Sequence, residues 1–241
     1  MAYRCEATSL KGFVQQIACV YLRHGYRWIV QARIPDRKDP HCVDEALIAK
    51  YRIDVSEATR WRRKQVGKAN LHYLRYKRDF VLLATDGKHP FKELECRSLK
   101  NLEDGRSRIL IGNYSISRSR GGRTRTGERD SKWHSHVQID WEHYKALKAM
   151  FLGLACRRNE VQLAQLFYEL PFEPYAPIRR QISAIWAAVN RQRRRAGLSL
   201  IPVDVLPFRT KSVKVFEPDR VRQLWSSAGG WWYEVRRAEN S

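Results

Sequence analysis

Apolar residues recur at helical spacing near the start of the chain, where Leu10, Phe13, Val14, Ile17 and Tyr21 fall on one face. Ser9 before them and Gly25 after them act as cap and stop, which predicts a helix over 9–24. The period then changes. In YRWIVQARI, residues 26–34, Tyr26, Trp28, Val30, Ala32 and Ile34 alternate with Arg27, Gln31 and Arg33, so an amphipathic strand with one basic face is expected, ended by Pro35. Asp39-Pro40 opens a helix over 40–51, and after RIDV a second helix covers 56–66 and ends at Gly67. NLHYLRY (70–76) and DFVLLAT (79–85) read as two strands joined by a tight Lys77-Arg78 turn. The second is apolar on both faces, which marks it as central and buried. DGKHPF is a turn, and 91–101 is a short helix or a covering loop. RILIGNYSIS (108–117) and 132–140 read as two further strands flanking a long loop.

Beyond residue 140 the pattern becomes helical. Helices are expected over 141–156, 159–170 and 175–196, with Asp140 and Asn159 at starts and Gly197 at an end. The last carries a core stripe of Ile178, Ile182, Ile185 and Val189. Residues 198–208 and 211–216 look extended. A short helix capped by Asp219 is expected next, with Trp231, Trp232 and Tyr233 docking on the body. This order predicts an α+β fold, a mostly antiparallel sheet with helices packed on one face, followed by a helical C-terminal half. The expected division is a nucleic-acid-binding core over 1–140, a helical and extended region packed on it over 141–217, and a tail over 218–241.

Charge changes the picture most. The 241 residues include 46 basic and 25 acidic side chains, for a net +21. A compact domain this basic repels itself, and a polyanion relieves the repulsion. DNA is the first expectation and RNA the alternative, because neutralised phosphates release counterions. No amphipathic segment has a long, strongly hydrophobic side, and no lipidation signal appears, so a membrane surface is not expected. The five cysteines are odd in number, widely spaced and contain no CxxC pair, so neither a zinc knuckle nor a disulfide framework is indicated. No signal core or membrane-length run appears, so a cytoplasmic location is expected.

The basic residues cluster. One group is Arg60, Arg62, Arg63 and Lys64; another is Arg191, Arg193, Arg194 and Arg195. A third lies in the glycine- and threonine-rich loop with Arg118, Arg120, Arg123, Arg125, Arg129 and Lys132. All three are candidate phosphate contacts. Trp61, Trp133 and Trp141 lie near these groups, where they would stack unpaired bases.

The stretch ALIAKYRIDVSEATRWRRKQVG, 46–67, resembles a helix-turn-helix. The resemblance implies buried Leu47, Tyr51, Ile53, Ala58 and Trp61, and a recognition helix bearing the first basic cluster. Arg52 stands where that turn usually carries glycine at positive φ, and Ile48 where a small residue is usual. An ordinary helical hairpin with a basic face is the alternative.

On the strand WHSHVQID, His134, His136, Gln138 and Asp140 alternate with Trp133, Ser135, Val137 and Ile139. Two imidazoles at i and i+2 on one face can hold a divalent metal such as Mg or Mn. This is similar to the paired histidines of HUH endonucleases, the relaxases and rolling-circle initiators carried by mobile elements and plasmids. That resemblance implies a metal at His134 and His136 that polarises a phosphate, and a tyrosine nucleophile: Tyr168, Tyr144, or Tyr3 ahead of the histidines. His72, Gln138 or Asp140 would supply a third ligand. The alternative is that both histidines line a polar, nucleic-acid-facing sheet. Three functions therefore stand open: DNA binding of the kind mobile elements encode, metal-dependent nicking of single-stranded DNA, and non-catalytic RNA binding in a ribonucleoprotein.

Overall fold

A computed structural model describes residues 3–121, 126–128, 131–208 and 212–216, and the backbone of 220–225 and 231–236. The fold is α+β with antiparallel sheets. Its strands segregate into separate sheets, and the chain forms two compact units, 1–107 with 213–241 and 108–212. The contact boundary at 107/108 differs from the expected one at 140, because the strands after 108 pair with one another and pack on the following helices.

In the first unit, α1 (Leu10–Gln15) is capped by Ser9, whose Oγ accepts from the Gly12 N–H. The helix continues as a π-helical stretch, Gln16–Tyr21, and a 3₁₀ turn, Leu22–His24, stopped at Gly25 with φ 86°. Strand β1 (Trp28–Arg33) follows, then α2 (Pro40–Lys50), α3 (Glu57–Gln65), β2 (Leu71–Tyr76) and β3 (Asp79–Ala84). A short α4 (Pro90–Leu94) and β4 (Lys100–Asn101) complete it, giving the sheet order β2-β3-β1-β4. The apolar strand β3 is central, as its composition predicts.

Alternation along β2 directs the packing. His72 and Tyr76 meet Tyr21 and Phe13 of the first helical stretch. Tyr73 and Arg75 point the other way, to Asp44 of α2. Helices thus cover both faces of this sheet, a refinement of the expected one-sided packing. Both of Asp44's oxygens are occupied. Oδ1 accepts from Tyr73 Oη at 2.5 Å and Arg75 Nε at 2.9 Å, and Oδ2 takes Arg75 Nε at 3.0 Å and the Cys5 thiol at 3.5 Å. Arg75, 2% exposed, also donates through Nη1 to Glu6 at 2.9 Å and to the Lys77 carbonyl at 2.7 Å.

The second unit begins with a correction. Residues 108–117 are a tight hairpin rather than one strand, β5 (Ile109–Ile111) turning at Gly112-Asn113 into β6 (Tyr114–Arg120). Gly112 has φ 53°, and Gly-Asn is a two-residue hairpin signal that outweighs the apolar run around it. Strand β7 (Trp133–Ile139) pairs with β6 along its whole length, from Tyr114↔Ile139 to Arg120↔Trp133. Helices α5 (Trp141–Leu154), α6 (Glu160–Tyr168) and α7 (Ala176–Arg195) follow, with Asp140 and Asn159 as side-chain N-caps. Gln181 of α7 closes the edge of β7, its amide accepting from the Ile139 N–H at 2.8 Å and donating to the Ile139 carbonyl at 3.0 Å.

Near the C-terminus, Arg220–Trp225 and Trp231–Arg236 form an antiparallel pair. A strand therefore stands where a helix was expected; β-branched and aromatic residues in both segments favour it. Asp219 lies outside the described residues.

Because Asp44 is buried with its partner, Arg75→Met leaves an uncompensated carboxylate. It should cost ~3–5 kcal/mol in urea unfolding, whereas Arg75→Met combined with Asp44→Leu should lose less than the single change.

Candidate nucleic-acid interface

The helix pair α2–α3 is joined by a turn in which Arg52 adopts φ 48°, in the left-handed region. Two arginines of α3 brace this turn. Arg60 Nη2 donates to the Ile53 carbonyl at 3.1 Å, and Arg63 Nη1 to the Arg52 carbonyl at 3.5 Å. In return, Asn70 Nδ2 donates to the Arg60 carbonyl at 2.9 Å. The far end of α3 is fixed by backbone contact. A side chain at Gly87 would place its Cβ 2.5 Å from the Gly67 carbonyl oxygen, so only glycine fits, and there the Lys88 N–H donates to the Gly67 carbonyl at 3.0 Å while the Ala69 N–H donates to the Lys88 carbonyl at 3.1 Å.

With Arg60 and Arg63 turned inward, helical spacing sends Ala58, Trp61, Arg62 and Gln65 outward. Trp61 is 64% exposed, and α3 has no buried side chain. The expected burial of Ala58 and Trp61 is therefore corrected; Tyr51 and Ile53 are buried as expected, and Leu47 is only half-buried. Of the predicted cluster, Arg62 and Lys64 are exposed for a ligand, and Gln65 joins them. The signal for Gln65 was its i, i+3, i+4 relation to Arg62 and Trp61.

In the second unit the register confirms the two faces of β7. Ser117↔His136 and Ser119↔His134 share one, and Arg118↔Ser135 and Arg120↔Trp133 share the other. His134 is exposed. His136 is half-buried, and burial together with the Arg180 guanidinium lowers its pKa. The imidazole is thus neutral at neutral pH, the form that ligates a metal. Asp140 leaves this face to cap α5, accepting from the Glu142 N–H. Among the described residues no group of three His, Cys, Asp or Glu side chains is placed to hold a metal.

The candidate nucleophiles are dispersed. Tyr144 rests against the Trp141 ring, and Tyr168 is exposed at the end of α6. Tyr3 and His72 belong to the first unit and pair with each other, Tyr3 Oη lying 3.0 Å from His72 Nδ1 and donating to the Tyr73 carbonyl at 2.9 Å.

The arginine cluster at the end of α7 divides in the same way as α3. Arg193 is a buried cross-link, donating to the carbonyls of Ser199 at 2.6 Å, Ala155 at 2.7 Å and Arg158 at 2.9 Å. Arg191, Arg194 and Arg195 are exposed. In the loop, Arg120 and Lys132 are exposed and Arg118 is half-buried, while Arg123, Arg125 and Arg129 lie outside the described residues. Among the described residues no helix is long and apolar enough to cross a membrane.

Comparison with known proteins finds no matching family model, curated protein or solved structure.

His72 gives this region a pH signature. Burial, with Arg60 and His24 nearby, pulls its pKa from 6.5 to about 3. A depressed base contributes stability above its unfolded value and loses it as pH falls. Urea midpoints should therefore drop between about pH 6.5 and 3, and His72→Gln should remove part of that slope relative to the wild type.

Proposed function

We propose that the protein binds DNA, with α3 as the helix presented to the duplex. The observation that carries this reading is the outward stripe Trp61, Arg62 and Gln65 on a helix with no buried side chain of its own. A helix oriented by polar braces and exposing an indole, a guanidinium and an amide suits a major groove better than it suits solvent. Arg pairs with guanine edges, Gln with adenine edges, and an apolar face with the thymine methyl. Lys64 and the exposed Arg191, Arg194 and Arg195 add phosphate contacts that position without specifying. The +21 charge supplies the long-range attraction. The five free cysteines suit a reducing cytoplasmic setting.

Fluorescence anisotropy on labelled duplex DNA across salt tests this. Affinity should fall steeply, with a log–log slope set by the number of phosphates neutralised, and Lys64→Ala should reduce that slope by about 1. Trp61→Ala with Arg62→Ala should weaken duplex binding about tenfold or more, since each base-edge contact is worth ~1–3 kcal/mol. A salt-independent affinity, or a double variant that binds like the wild type, overturns the reading.

A further inference from the structure

Strand β6 is paired on both sides only at its start. Its bonds to β5 cover Tyr114–Ile116, while its bonds to β7 run on to Arg120. The last four rungs, Ser117↔His136 to Arg120↔Trp133, therefore extend past β5 as a two-stranded ribbon. At the base of one ribbon face, Ile116 and Val137 are buried core residues. Further out, that same face changes to Arg118, Ser135, Arg120 and Trp133. Both guanidiniums attend one indole: Arg120 Cζ lies 4.7 Å and Arg118 Cζ 5.8 Å from the Trp133 ring centroid.

An aromatic ring flanked by two cations is the composition of a single-strand platform. The ring accepts a base by stacking, which every base can provide, and the cations meet the phosphates on either side. A duplex conceals its base faces inside the stack, so an indole gains this contact only from an unpaired nucleotide. The outer ribbon face offers an indole, two guanidiniums and one serine.

We propose that the β6–β7 ribbon is a site for single-stranded nucleic acid, in which Trp133 stacks an unpaired base and Arg118 and Arg120 hold the flanking phosphates. The proposal shares with the DNA-binding reading only the polyanionic ligand. It assigns no role to α3, so the two fail separately.

The test uses the full chain, a short labelled oligo(dT) strand and a blunt-ended duplex, both followed by anisotropy. Trp133→Ala should weaken oligo(dT) binding about tenfold or more and leave duplex binding unchanged, and Trp133→Phe should retain most of the single-strand affinity. Arg120→Gln, at an exposed position where folding is not at stake, should weaken oligo(dT) binding and reduce its salt slope by about 0.7. Trp61→Ala with Arg62→Ala should do the reverse, weakening duplex and sparing oligo(dT). The proposal is overturned if the wild type does not bind oligo(dT), or if Trp133→Ala and Arg120→Gln bind it like the wild type. It is equally overturned if these variants weaken duplex and single strand alike, which would assign the ribbon to a duplex groove.

Discussion

The Asp44 carboxylate is the point on which the first unit turns. It sits in the core, where a lone charge would be prohibitively unfavourable, and it is held by the Arg75 guanidinium, the Tyr73 hydroxyl and the Cys5 thiol. These four residues come from the N-terminal segment, α2 and β2, so satisfying one charge fixes α2 against the sheet. The orientation of α3 then follows through the turn. Since α3 buries no side chain, it has little hydrophobic hold of its own. Its outward stripe is presented by bonds made elsewhere: the Arg52 backbone, the Arg60 and Arg63 braces, and Asn70.

Arginine has two opposite uses in this chain. Its planar fork offers five donors, enough to satisfy several backbone carbonyls at once when buried. Arg193 does this between the end of α7 and the carbonyls of Ala155, Arg158 and Ser199, and Arg75 does it between two carboxylates and a turn. Arg60 and Arg63 do it more modestly. Arg62, Arg191, Arg194 and Arg195 of the same two clusters stay outside. A dense basic run therefore overstates the number of phosphate contacts, because some of its members are internal cross-links.

The ribbon of the second unit follows a related logic. Where β5 stops, the apolar side chains of β6 and β7 stop too, and polar, cationic and aromatic ones take over. The His134–His136 face and the Trp133 face diverge on opposite sides. Asp140, one residue past the strand, serves the dipole and free N–H groups of α5 instead of joining the histidines.

Much of the architecture was legible in the sequence because it is written in local chemistry. Ser9, Asp39, Ser56, Asp140 and Asn159 cap the helices they precede, since each side-chain oxygen reaches an N–H two or three residues on. The unbroken apolar run in β3 identified the central strand, and the alternation in β7 fixed its two faces. The Gly112-Asn113 hairpin was also local, but it was hidden inside a run of apolar residues. Tertiary structure alone decided which arginines turn inward, that Trp61 faces out, and that the strands divide among three sheets. Those outcomes depend on which carbonyls and carboxylates come within reach after folding, and an arginine looks the same in sequence whether its partner is a buried carboxylate, a turn carbonyl or a phosphate.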